Sequence, residues 1–320
     1  MIAPRIVVAG GSGALGHLLA STFHRRGDDV VVLTRNPKPA PWRVKQWDGR
    51  TLGTWTSEID GADAVVNLAG RSVNCRYGTK NRRQILLSRT ESTRVIGQAI
   101  EESDQPPPLW MQMSTATIYA DHTDAGNDEH SGIIGGEEPG VPEAWRFSID
   151  VARKWEAAVD EALTSRTRKV ILRTAMVMSP ERGGTFDTLL TLVRLGLGGA
   201  AASGRQFVSW IHHADFVRAF EFLMKREDIE GVVNLAAPEP LPNREFMRVL
   251  RRSWGVPFGL PATPWMLSVG ALAMRSETEL ILKSRRVVPG RLLEEGFAFE
   301  FADWPLAARD LCADRQGRAS

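Results

Sequence analysis

Residues 5–35, RIVVAGGSGALGHLLASTFHRRGDDVVVLTR, constrain this chain more than any other stretch. A short run rich in β-branched residues leads straight into Gly10, Gly11, Ser12, Gly13, Ala14, Leu15 and Gly16. A helical pattern follows, with Leu15, Leu18, Leu19, Thr22 and Phe23 on one face, and Gly27 closes it. A second strand over 29–33 delivers Thr34 and Arg35. Strand, glycine turn, helix and strand within about thirty residues is the arrangement that wraps a dinucleotide. Gly10 permits the tight turn, and Gly13 lacks the Cβ that would hold the backbone off a pyrophosphate. Gly16 lets the helix pack close to the sheet, and the free N–H groups at the helix start face the phosphates.

The end of the second strand selects the cofactor. An NAD site places Asp or Glu there for the ribose 2′-hydroxyl. Here Thr34 and Arg35 occupy it, with Lys38 close behind, while Asp28 and Asp29 precede the strand. A guanidinium at that position attracts a 2′-phosphate and offers it several donors, so NADP(H) is expected over NAD(H).

The rest of the composition narrows the class without naming a reaction. A chain of 320 residues, 43% hydrophobic and 24% charged with net charge +2, is long enough for a large core in one or two domains. No basic block argues for nucleic acid, and no apolar run approaches the roughly 20 residues of a membrane span. The first strand begins at once, which leaves no room for a signal peptide. Cys75 and Cys312 form neither a disulfide framework nor a metal spacing. The expectation is a reduced, cytoplasmic protein without a metal, acting on a small molecule and not on nucleic acid or membrane.

Further on, a short strand over 44–48 and a buried-type strand over 64–68 are expected. The latter ends in Asn67, Leu68, Ala69 and Gly70, small enough to admit a ligand across the sheet edge. A long helix over 82–99 carries Ser88, Arg89, Ser92 and Thr93 off its apolar stripe. Strands over 109–114 and 169–172 flank a polar loop and a helix over 142–163. This β-α alternation predicts an α/β fold, a Rossmann doubly wound parallel sheet. From Arg182 the texture becomes Gly-rich, with a helix over 186–195, an extended stretch over 207–212, a helix from 215 to 226 with Asp215 as N-cap, and a strand over 231–235. Helices over 243–254, 264–273 and 277–283 follow, which reads as a small, mainly helical C-terminal substrate domain. The expected division is 1–178 with 206–237 as the NADP-binding domain, 179–205 with 238–305 as the substrate domain, and 306–320 as a tail, frayed over 313–320.

GGSGALG, NLAG, STATIYA and SWIHHAD together resemble the extended short-chain dehydrogenase/reductase family. SRTEST, KWEAA, RLGLGG, SGRQFVSWIHHAD, NREF and RRVVPGRLLEEGF resemble the hallmark strings of one atypical subgroup, with an NAD-dependent epimerase/dehydratase-like core and a C-terminal domain of unknown function. The resemblance runs from about residue 5 to 301. It implies that Gly10, Gly13 and Gly16 form the phosphate turn, that Asn67, Ala69 and Gly70 lie beside the adenosine half, and that Ser114 and Thr115 hold the hydroxyl position. It implies that Arg173 begins the strand and loop after the catalytic helix, and that Ser209, Trp210 and His212 line the substrate cleft. Arg89, Ser114 and Arg173 are added as cofactor contacts, and Arg205 and Gln206 as side chains for a substrate carboxylate or hydroxyl.

The chain departs from the family where redox chemistry is usually done. Members carry Tyr-x-x-x-Lys on the helix matching 142–163, the lysine lowering the tyrosine's pKa. The two tyrosines here, Tyr77 and Tyr119, have no lysine four residues on, and Ser148 and Ala152 fall at the paired positions. Two functions therefore stand. One is an NADP(H)-dependent oxidoreductase or epimerase/dehydratase-like enzyme with displaced acid/base groups drawn from Thr115, Tyr119, Ser148, His212 and His213. The other is a non-catalytic NADP(H)-binding sensor or interaction protein, in a subgroup whose plant and cyanobacterial members are linked to plastid and cell division. A monomer or a homodimer paired through the long helices satisfies either.

Overall fold

The computed structural model describes residues 3–263 and 279–318. The helix expected over 264–273 and the start of the one expected over 277–283 lie outside the described residues. The strands are β1 (Arg5–Ala9), β2 (Asp29–Thr34), β3 (Arg43–Gln46), β4 (Ala64–Asn67), β5 (Leu109–Thr115), β6 (Arg168–Thr174), β7 (Met176–Met178), β8 (Phe207–Val208), β9 (Trp210–His212), β10 (Gly231–Leu235) and β11 (Leu241–Pro242). The longer helices are α1 (Ala14–Arg26), α2 (Thr79–Glu101), α3 (Glu143–Asp160), α4 (Thr185–Arg194), α5 (His213–Lys225), α6 (Asn243–Trp254) and α7 (Trp304–Gly317), with single helical turns at Glu279–Leu282 and Gly290–Glu294. Seven strands form one parallel sheet in the order β10-β6-β5-β4-β1-β2-β3.

Alternation along the strands feeds two cores. Ile6, Val8, Val30, Val32 and Val66 point to the face covered by Leu19 and Phe23 of α1 and Phe216 and Phe220 of α5. Val7, Ala9, Val31, Leu33 and Val65 point to the other face, covered by Val95, Ile96 and Val159 of α2 and α3. Burial on both sides is why these strands read as continuous apolar runs. The chain order reverses between β1 and β4, where Ala9 pairs with Asn67, so a crevice opens outside the carboxyl ends of these two strands.

Two expectations are corrected. Residues 306–317 are not a tail: α7 starts at an Asp303 N-cap and buries Trp304, Ala307, Ala308, Leu311 and Cys312. These positions recur every three to four residues, and the charged residues between them masked the stripe. They join Phe186, Leu190, Trp210, Phe246 and Leu250 in a third core. Asp215 is not the cap of α5, which starts at His213 with His212 as N-cap. Asp215 is fully buried instead and accepts the backbone N–H groups of Glu300 (2.9 Å) and Phe301 (2.8 Å), with Arg218 paired at 2.7 Å. Removing it leaves two amides unsatisfied, so Asp215→Ala is expected to cost about 2–4 kcal/mol in urea unfolding, and Asp215→Asn less. A loss below about 0.5 kcal/mol would show that the 300–301 segment is not held here.

Candidate functional site

The glycine turn has the geometry its sequence requires. Gly10 has φ +75°, and a Cβ there would lie 2.8 Å from the Ala69 backbone on the neighbouring strand end. A Cβ on Gly16 would lie 2.4 Å from Gly11 Cα, so the turn and the first coil of α1 touch backbone to backbone. Gly13 differs: its Cβ would meet only Gly10 O, at 3.6 Å, so its outer face is open. No side chain caps α1, which leaves the Ala14 and Leu15 amides available to an anion, while the Gly13 N–H closes the turn onto Gly10 O (3.2 Å).

The rims of the turn are braced. Thr34 is buried and its Oγ1 donates to Ser12 Oγ (3.0 Å), tying the end of β2 to the turn. Arg35 is exposed and has no ion pair among the described residues. The neighbouring acids are engaged elsewhere. Arg43, with Arg5, holds the Asp29 carboxyl below its ordinary value, and Arg26 binds Asp28. On the β4 side, Asn67 donates to Gln112 Oε1 (2.9 Å) and accepts the Ala69 N–H (3.0 Å), while the Leu68 N–H bonds to Ala9 O. Asn67 thus shapes the strand end internally. A nicotinamide dinucleotide fits this surface: an open glycine, free helix amides and an unpaired arginine beside the ribose position.

Beyond Gly70 lies a cavity of about 200 Å³ at the carboxyl ends of β5 and β6. Its walls include Thr115, Ser148 on α3, Arg89 on α2, and Tyr77 from the loop before α2. Glu279 and Arg285 arrive from the C-terminal segment. Ser148 Oγ donates to Glu279 Oε2 (2.5 Å) and lies 3.5 Å from the Tyr77 hydroxyl. The three form a chain, and burial pushes the Tyr77 phenol above its ordinary value, so it is a protonated donor at neutral pH. Thr115 Oγ1 caps the short 3₁₀ turn that follows β5, accepting the Thr117 N–H. Lys283, brought down to about 8 by burial and then by Arg285, donates to Thr117 O (2.7 Å). Arg285 Nε reaches Thr117 Oγ1. Two cations from the far end of the chain thus lie against Thr117.

Several expected site residues lie elsewhere. Tyr119 is buried, donating to Asn234 Oδ1 (2.9 Å) and accepting from Arg173 Nη1 (3.1 Å). Arg173 holds Glu156 in a two-point pair (3.0 and 2.8 Å), and Ser114 Oγ donates to the same carboxylate. These groups brace β5 and β6 against α3 and do not line the cavity. His212 is buried against Phe301, its Nδ1 accepting the Ala214 N–H, and burial pulls its imidazole down to about 3. It stays neutral near pH 7 and does not line the cavity. Nor does His213.

Trp210 packs on Trp304 in the third core. Ser209 Oγ donates to Arg285 O and accepts the Val287 N–H, and Gln206 donates to the carbonyls of Ala201 and Ile281. These residues position the C-terminal segment, and Arg205 is exposed to solvent. His212, His213 and Asp310 bring ligand atoms within 4.8 Å of one another. Because His212 Nδ1 accepts a backbone proton, its own proton sits on Nε2, 3.2 Å from Asp310, which denies a metal that atom.

Sequence reasoning missed Tyr77, Glu279, Lys283 and Arg285. Tyr77 carried a signal, as one of only two tyrosines and close behind the NLAG strand end. Arg285 opens the RRVVPGRLLEEGF string, whereas Glu279 and Lys283 had no signal, since only the return of the C-terminal segment brings them here.

Comparisons with known proteins agree with this fold. Residues 6–236 match the model of the NAD dependent epimerase/dehydratase family, and residues 264–311 match a domain of unknown function, DUF1731. The chain is 32% identical to the bovine (Bos taurus) epimerase family protein SDR39U1 over 97% of its own length and 100% of that protein. It is 27% identical to the epimerase family protein YfhF of Bacillus subtilis, covering 97% and 99%. The crystal structure of human epimerase family protein SDR39U1 (isoform 2) with NADPH superposes with a TM-score of 0.84 at 28% identity, covering 97% and 99%. No helix of the described residues is long and apolar enough to cross a membrane.

Proposed function

The chain belongs to the NAD dependent epimerase/dehydratase family, and from that premise we propose that it binds NADP(H) and transfers hydride to or from a small molecule held in the cavity. The glycine turn from Gly10 to Gly16 and the strand end from Asn67 to Gly70 would cradle the dinucleotide, and Arg35 would pair with its 2′-phosphate. When bound, the nicotinamide supplies or accepts the hydride. The human relative solved with NADPH supports the choice of cofactor.

The observation that carries an oxidoreductase over a binding-only sensor is the Tyr77–Ser148–Glu279 chain opening into the cavity. Tyr77 would give its phenol proton to the substrate oxygen, with Ser148 beside the phenol and Glu279 accepting the Ser148 proton. Thr115 stands at the carboxyl end of β5 on the same wall. With Cys75 and Cys312 as free thiols, we place the protein in the reducing cytoplasm.

Calorimetric titration with NADPH and NADH tests the cofactor reading. Arg35→Ala is expected to weaken NADPH roughly tenfold, about 1.4 kcal/mol, and to leave NADH nearly unchanged. Equal weakening of both nucleotides would sink the 2′-phosphate assignment, and no binding of either would sink the enzyme reading. For the chemistry, Tyr77→Phe is expected to lower kcat about tenfold or more on any carbonyl compound the protein reduces, with KM retained. An unchanged kcat would remove Tyr77 as the proton donor.

A further inference from the structure

We propose that the cavity takes a small, apolar oxo acid whose carboxylate pairs with Arg89, an inference that rests on the hydride-transfer reading above. Two features of the cavity carry it.

The first is its size and lining. About 200 Å³ lies below the roughly 300–1,000 Å³ of sites for drug-sized ligands, which limits the occupant to about ten or a dozen non-hydrogen atoms. Val73, Ile85, Phe147, Val151 and Met176 make most of the wall apolar. A whole nucleoside diphosphate sugar exceeds this volume.

The second is an unbalanced charge. Arg89 Nη1 donates to the carbonyl oxygens of Arg71 (3.0 Å) and Ile85 (3.1 Å), and its guanidinium lies over the Trp155 ring at 5.0 Å. No carboxylate pairs with it among the described residues, and burial pulls it down to about 10. Carbonyl dipoles and a ring face offset only part of the cost of a half-buried cation, and an anion completes it. Arg285 differs, because it shares its surroundings with Glu279 and Asp121. The cavity therefore presents one uncompensated positive charge in an apolar wall, the complement of an apolar monoanion. A carboxylate meets a guanidinium through two parallel bonds.

The reaction balances with groups already named. The substrate C=O π bond breaks, and its carbon gains a C–H bond from the reduced nicotinamide hydride with both electrons. Its oxygen takes the Tyr77 proton, which solvent restores, and the cofactor leaves oxidised. The product is the hydroxy acid.

The probes are phenylpyruvate, 4-methyl-2-oxopentanoate and the neutral ketone 4-phenyl-2-butanone, titrated calorimetrically with and without NADP⁺. Both acids are expected to bind the NADP⁺-loaded protein roughly tenfold tighter than the ketone. Arg89→Gln is expected to erase that difference. A ketone bound as tightly as the acids overturns the proposal, as does displacement of the acids by UDP-glucose. If Arg89→Gln weakens NADPH and spares the acids, Arg89 serves the cofactor and the proposal fails. Arg89-dependent acid binding in a protein that takes no nucleotide would support the acid site while the hydride-transfer reading fell.

Discussion

Gly13→Val is expected to fold like the parent protein and to lose NADPH affinity roughly a hundredfold, about 2.7 kcal/mol. Gly13 sits at φ −77° and ψ 169°, extended backbone that any residue adopts. Its added Cβ would meet only Gly10 O at 3.6 Å, an ordinary contact, so the melting temperature should move by no more than about 2 °C. The isopropyl group would instead occupy the space through which a diphosphate approaches the α1 amides. Gly16→Val supplies the contrast, because its Cβ would lie 2.4 Å from Gly11 Cα and the turn must deform. That variant should lose both stability and nucleotide binding. Retained NADPH affinity in Gly13→Val would mean that the nucleotide does not cross this turn.

Glu156→Ala should be among the most destabilising single changes in the sheet, costing about 3–5 kcal/mol. Glu156 and Arg173 are each about 11% exposed at their side chains and meet through two bonds, with Ser114 as a third partner. Alanine leaves a buried guanidinium with only the Tyr119 hydroxyl and ring near it. Glu156→Gln keeps an acceptor and should cost less, which separates the charge from the shape of the side chain. Urea unfolding reads both values. A loss below about 1 kcal/mol would show that Arg173 swings to solvent and that the pair is not a brace.

The same pair shows where sequence reading stops. Ser114, Arg173 and Tyr119 are polar residues near strand ends, and polar groups there suggest ligand contacts. Their roles depend on which partners three-dimensional packing supplies, and Glu156 satisfies two of them inside the protein. Trp210 and His212 make the same point. A tryptophan and a histidine next to a Gly-rich loop suggest a cleft, yet Trp304 and Phe301 arrive from α7 and its approach to claim them. The stripe that makes α7 a packed helix is local, but its burial is not.

What the amino-acid order determined by itself is the part built from neighbours. The strand, turn, helix and strand over residues 5–35 rest on contacts within a few residues, on steric demands at Gly10 and Gly16, and on apolar alternation. The parallel sheet follows from repeating that pattern. The hydrogen-bonded chain of Tyr77, Ser148 and Glu279 was decided by tertiary structure alone, because Ser148 and Glu279 lie 131 positions apart and no local rule couples them. Local propensity is encoded in adjacent residues, whereas a buried hydrogen bond exists only once the core has brought its two ends together.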